Sequence, residues 1–168
     1  MKPDIKALAF EKKFGDIETA VYADRSLIGG LVALLAEKNG DVRSGVLNLL
    51  SRVGFDYPKE TRPHLPVLIA LLDDPDMFVK IDAANAVGNL GFSFKDAAAA
   101  ASPKLKALLN HEQSLVRQEA AYAMGNIGLE GQPAFGNVWV AAQALAGGGK
   151  KEGILSTYDK TGVALFGP

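Results

Sequence analysis

The sequence contains no cysteine and only two histidines, and both scarcities exclude kinds of site. Without cysteine there is no disulfide, no thiolate metal centre and no cysteine nucleophile. His64 and His111 are far apart in the sequence and share no position in any repeated pattern, so no Ser-His-Asp arrangement can be argued from them. We therefore expect no catalytic residues, no metal site and no cofactor, and we predict that the protein is not an enzyme.

The chain also lacks a dominant charge and long apolar runs. Its 18 basic and 19 acidic residues nearly balance, which gives the whole molecule no basic character that would attract nucleic acid or anionic membranes. No apolar run approaches the roughly 18 residues of a membrane span. The stretch 5–10 is too short for the apolar region of a secretory signal and lies beside acidic residues. We expect one cytoplasmic domain with no membrane span.

A repeat of 37 residues organises the sequence. Leucine, valine, a basic residue and glycine each recur at this spacing, in the columns Leu34, Leu71 and Leu108; Val42, Val79 and Val116; Arg43, Lys80 and Arg117; and Gly54, Gly91 and Gly128. A fixed period between 20 and 50 residues is typical of a solenoid, in which similar supersecondary units stack.

Each repeat has the pattern of two helices. In the second helix of the first repeat, Val42, Val46, Leu49 and Val53 recur at steps of three and four residues, which indicates one apolar helical face. We expect the glycine column to end each second helix. Pro66 and Pro103 are in register and should open first helices, where proline is tolerated. Pro103 should interrupt or restart the alanine-rich helix 96–101 that precedes it.

The predicted fold is all-α: a short right-handed α-α superhelix of about four helical hairpins. We divide its single domain 1–168 into an N-terminal capping element at 1–24, three clear repeats at 25–128, and a degenerate C-terminal repeat and tail at 129–168. In the capping element, residues 4–13 should form a degenerate second helix. Atypical terminal repeats are expected because one side of each meets water.

The repeats resemble the HEAT-repeat family, including the HEAT-like repeats related to phycobilisome lyases. The turn Leu71 to Asp76, followed by Val79-Lys80, matches the family pattern closely. The second helices that are predicted to end at Gly54 and Gly128 also match it, so the resemblance covers about residues 26–128. The resemblance implies two antiparallel helices per repeat, second helices on the concave surface, and a role in protein interaction.

Polar residues form a second stripe on the second helices, opposite the apolar face. At about 100° per residue, positions spaced i, i+3 and i+7 share this side. Stacked repeats align them into what we call the polar ridge, predicted to bind a partner. Besides Gly45, the polar ridge comprises Asn48, Arg52, Asp82, Asn85, Asn89, Glu119, Tyr122 and Asn126.

Other conspicuous groups have structural interpretations. The resemblance implies that the basic column at Arg43, Lys80 and Arg117 pairs with acids or carbonyls of the adjoining turn. His111-Glu112 is similar to the iron-binding pairs of HEAT-like hydroxylases, but a metal would need several such pairs. The segment 147–151, Gly-Gly-Gly-Lys-Lys, lacks the spacing of a P-loop and is interpreted as a flexible joint.

These observations favour a non-enzymatic scaffold or adaptor that binds a protein partner, as an accessory subunit or assembly factor of a larger complex. One alternative is a nucleic-acid or ribosome-associated protein, although Asp82 and Glu119 on the polar ridge argue against it. A second, implied by the resemblance, is a phycobilisome-lyase-like protein that handles a tetrapyrrole. The sequence names no partner and leaves the oligomeric state open.

Overall fold

The computed structural model describes residues 3–128, which form helices and turns and contain no strand. The helices are α1 (Ile5–Phe10), α2 (Phe14–Ala23), α3 (Ile28–Ala33), α4 (Gly40–Asp56), α5 (Pro58–Thr61), α6 (Leu65–Ala70), α7 (Met77–Ser93), α8 (Lys95–Ala98), α9 (Ser102–Leu108) and α10 (Ser114–Ile127). Short 3₁₀ segments lie at Arg25–Leu27, Leu34–Ala36, Arg62–His64, Leu71–Asp73 and Ala99–Ala101. The predicted all-α repeat solenoid is confirmed. The predicted C-terminal repeat and tail, 129–168, lie outside the described residues.

The two helices of each repeat differ in continuity. The second helices are unbroken: α4 and α7 have 17 residues each and α10 has 14. The first helices are short α-helical pieces next to 3₁₀ turns. In the second and third repeats, Pro66 and Pro103 fall in the first turns of α6 and α9, where proline favours such a restart. The predicted effect of Pro103 is confirmed, since the chain passes through a 3₁₀ turn and restarts as α9.

The second helices form the centre of the solenoid. α7 packs against α4 on one side and α10 on the other, and their buried faces join the first helices in one continuous apolar cluster. Leu47, Leu50 and Leu90 are fully buried large residues, whereas Ala84 and Ala121 are buried small ones. A core that runs through every repeat is what stacked units require, since no hairpin can bury its apolar face alone.

The glycine column does not act as the sequence predicts. Gly54 and Gly91 lie inside α4 and α7, and a Cβ on Gly91 would come within 2.5 Å of Cγ1 of Ile127. At Gly54 it would lie 2.9 Å from Cδ2 of Leu90. These two glycines allow close packing between helices. The expectation that they end helices is wrong, and only Gly128 does so, at φ 61°.

The N-terminal residues cover the open side of α4. The helix expected at 4–13 is shorter, because Lys12 has a positive φ of 59° and α2 begins after it. From α2, Glu18 pairs with Arg52 and the Tyr22 hydroxyl donates to Asp56. Among the helices within residues 3–128, none has the length and apolar character of a membrane span.

Candidate functional site

The polar ridge is contributed by α4, α7 and α10, which lie next to one another. Its members differ widely in exposure. Asn48 and Arg52 are exposed, Asp82, Asn85, Asn89, Glu119 and Tyr122 are half-buried, and Asn126 keeps only 8% of its surface. Gly45 lies beneath the ring of Phe14, whose Cζ would be 2.1 Å from a Cβ there. Much of the polar ridge therefore lies in the contact between helices.

Hydrogen bonds join the polar ridge across all three helices. The Ser51 hydroxyl of α4 donates to Oδ1 of Asn85 at 2.7 Å and accepts from Nδ2 of Asn89 at 2.6 Å. From α7, Asn85 Nδ2 donates to Oε2 of Glu119 in α10 at 3.4 Å. Asn126 Nδ2 donates to Oδ1 of Asn89 at 3.5 Å. Buried amides and hydroxyls that find such partners avoid a large desolvation penalty.

Two carboxylates of the polar ridge are held within it. Asp82 accepts hydrogen bonds from Ser44 and Asn48 of α4. Burial raises the pKa of Asp82 above its ordinary value, and these two hydrogen bonds oppose the rise. Burial likewise raises the pKa of Glu119, against the hydrogen bond from Asn85, and the charge of Asp82 adds to the rise. Both acids are positioned by the neighbouring helix.

The exposed end of the polar ridge is an ion pair with the capping element. The Arg52 guanidinium donates to both carboxylate oxygens of Glu18, at 2.9 and 3.1 Å, and to Oδ1 of Asn48 at 2.7 Å. The pair is half exposed, so its contribution to stability is small, about 0–1 kcal/mol. Its geometry instead fixes the direction of the guanidinium on the surface.

The spacing that defines the polar ridge continues for one more step, to Phe55 in α4 and Phe92 in α7. These two phenylalanines are register mates and expose 66% and 65% of their surface. With Tyr122 they line a concavity of about 490 Å³, here called the aromatic groove. Its lining residues are Phe55, Asn89, Phe92, Lys95, Tyr122, Gly125 and Asn126. Sequence reasoning missed both phenylalanines, although extending the series from i+7 to i+10 would have found them.

The predicted pairing of the basic column is confirmed at its two ends. Arg43 donates to both oxygens of the Asp74 carboxylate at 2.9 and 2.8 Å, and also to the carbonyls of Glu37 and Lys38. Arg117 donates to the carbonyls of the turn that precedes α10, at 2.8 and 2.7 Å. These guanidiniums hold the turns between helices.

His111 has a local role in the turn before α10. Its Nδ1 accepts a hydrogen bond from the backbone N–H of Gln113 at 3.1 Å. Within residues 3–128, no group of three or more histidine, aspartate or glutamate side chains is placed to hold a metal ion.

The stacked hairpins, the small residues between second helices and the guanidinium-bound turns define an α-solenoid of helical repeats. The sequence matches the family model for HEAT repeats over residues 28–125 and again over 65–147. The chain belongs to the HEAT-repeat family. Members of this family generally serve as protein-interaction scaffolds and are generally non-catalytic. The finer likeness to phycobilisome lyases stays a prediction.

A crystal structure of an engineered protein, a target of the Northeast Structural Genomics Consortium, is similar to this chain. The two share 24% sequence identity with a TM-score of 0.60, over 86% of this chain and 60% of that protein. This likeness concerns the fold alone. No curated protein matches the sequence.

Proposed function

We propose that the chain is a non-enzymatic scaffold that binds a protein partner along its second helices, as an accessory subunit or assembly factor of a larger cytoplasmic complex. The observation that carries the proposal is the aromatic groove. Two register-related phenylalanines, each about two-thirds exposed, lie beside a tyrosine on the same face of the helices. A contiguous exposed apolar surface with a polar rim is typical of a protein-binding site.

The polar ridge and the aromatic groove form one continuous surface, because Asn89, Tyr122 and Asn126 belong to both. The middle of the polar ridge is engaged in hydrogen bonds between helices, so its side chains shape the surface more than they reach from it. Asn48 and Arg52 are its exposed members. We propose that a partner contacts this exposed end and the aromatic groove together.

The test is affinity capture from native lysate with the full-length protein at low and high salt, analysed by mass spectrometry and visible absorption. We expect a stoichiometric protein that is retained at high salt and depleted by Tyr122→Ala, since truncating an aromatic residue at an interface weakens binding by about tenfold or more. Arg52→Ala tests the exposed end, and Lys106→Ala, on the exposed side of α9, is the control.

Other outcomes would contradict the proposal. Nucleic acid or ribosomal proteins that wash off with salt would favour the nucleic-acid alternative, because phosphate contacts weaken steeply with ionic strength. A coloured eluate would favour tetrapyrrole handling. A partner retained equally by Tyr122→Ala, Arg52→Ala and Lys106→Ala would show that binding uses another surface. Thermal unfolding of each variant separates loss of binding from loss of folding.

A further inference from the structure

We propose that the aromatic groove binds an acidic segment of a partner protein that carries apolar anchor side chains. The proposal rests on the scaffold function and names the chemistry of the partner. It places the binding at the C-terminal ends of α4, α7 and α10 rather than along the middle of the polar ridge.

The apolar part of the partner follows from what lines the groove. Phe55 and Phe92 hold equivalent positions in adjacent repeats, and Tyr122 stands on the next helix. The volume of about 490 Å³ lies within the range of clefts that bind small ligands. Gly125 has no side chain to obstruct the groove beside Tyr122. Such a surface suits large apolar side chains such as leucine or phenylalanine.

The acidic part follows from the charge at the rim. Lys95 is the one charged residue that lines the aromatic groove within the described residues. Its Nζ would lie 3.2 Å from a Cβ at Gly128, so the ammonium group is next to the C-terminus of α10. A cation is stabilised at that end of a helix. The groove therefore offers a placed positive charge beside an apolar surface, which is complementary to a carboxylate beside an apolar side chain.

The middle of the polar ridge offers less to a partner. Asn85 and Asn89 already bond to Ser51, and Glu119 to Asn85, so a partner competing for these groups would break hydrogen bonds of the solenoid. The phenylalanine rings have no such bonds to lose, and covering them removes exposed apolar surface from water.

The experiment selects binders from a phage-displayed library of random 12-residue peptides on the full-length protein and measures their affinities by fluorescence polarisation. We expect enriched peptides to combine aspartate or glutamate with leucine or aromatic residues. Phe92→Ser should weaken them by about tenfold or more. Lys95→Glu should remove the preference for acidic peptides over versions with lysine in place of the acids.

The matched control is Phe78→Ser, because Phe78 lies in the same helix as Phe92 and is 60% exposed. It stands at the opposite end of α7, about 21 Å away at 1.5 Å per residue, and should leave affinities unchanged. The proposal is overturned if no peptide is enriched, if the enriched peptides are basic, or if both phenylalanine variants bind like the parent.

Occupation of the groove by another copy, or by residues 129–168 of the same chain, would also overturn the proposal. A changed elution volume of Phe92→Ser in size-exclusion chromatography would indicate the former, and a melting temperature far below that of Phe78→Ser the latter. If a captured protein partner is lost in Arg52→Ala but binds Phe92→Ser normally, the scaffold function stands and the groove assignment fails.

Discussion

Ser51 ties α4 to α7 through both sides of its hydroxyl group. The oxygen accepts from Asn89 while the hydrogen is donated to Asn85, and the three side chains lie in the contact between the helices. A residue this small satisfies two amides only because the helices are close. These hydrogen bonds satisfy the amide groups that the packing of α4 against α7 has removed from water.

Ser51→Ala should lower the free energy of unfolding by about 1–3 kcal/mol, because it removes the two hydrogen bonds that join Ser51 to the half-buried Asn85 and Asn89. Urea unfolding of the full-length protein measures the change. The control is Ser93→Ala at the exposed end of α7, which should change stability by less than about 0.5 kcal/mol. Equal effects of the two substitutions would contradict the hydrogen-bond network described above.

Several residues of this network escape sequence reasoning for a physical reason. A helical projection separates the apolar face from its opposite side, and Ser44 and Ser51 fall on the boundary between them. Their importance depends on the neighbouring helix: Ser44 reaches Asp82 and Ser51 reaches Asn85 only when α4 and α7 are packed. One helix considered alone contains no information about that distance.

At the scale of helices, close packing depends on small residues in α7 and α10. A Cβ on Gly88 would lie 2.7 Å from the Cα of Ala123, which is backbone and cannot rotate aside. The separation of the two helices is therefore set where glycine and alanine face each other. Glycine is otherwise unfavourable inside a helix, so its presence there indicates a steric requirement.

Gly88→Ala should destabilise the protein by about 1–3 kcal/mol, even though alanine is the better helix former, because the added methyl group overpacks the contact. Gly29→Ala is the matched control: this position lies in α3 with nothing within 4 Å of the added Cβ. It should stabilise by about 0.5–1 kcal/mol. Thermal and urea unfolding give both values. Stabilisation by both substitutions would contradict the packing of α7 against α10.

The 37-residue period was enough to predict the all-α solenoid and the helical hairpins, because each column of residues has the same neighbours in every repeat. It was not enough to interpret Gly54 and Gly91. In one sequence, a glycine near the end of an apolar pattern looks the same whether it ends a helix or admits a neighbour such as Ile127. Only the distance to the neighbouring helix distinguishes these two cases. At Gly91 that distance leaves no room for a side chain beside Ile127.

At the scale of the whole molecule, the second helices have two kinds of surface. Their apolar faces join one continuous core, and their opposite sides form the polar ridge, which ends in the aromatic groove. The hydrogen bonds between helices recur along the array, from Ser51 to Asn85 and from Asn85 to Glu119. We infer that this recurring pattern holds the repeats in register and so keeps Phe55 and Phe92 side by side.

Binding of a partner at the aromatic end of the second helices is tested most directly by hydroxyl-radical footprinting. The full-length protein is oxidised alone and with its captured partner, and mass spectrometry measures the oxidation of each exposed ring. We predict that oxidation of Phe55 and Phe92 falls in the complex while that of Phe78, similarly exposed at the other end of α7, stays unchanged. Protection of Phe78, with Phe55 and Phe92 as reactive as in the free protein, would contradict binding at this end of the helices.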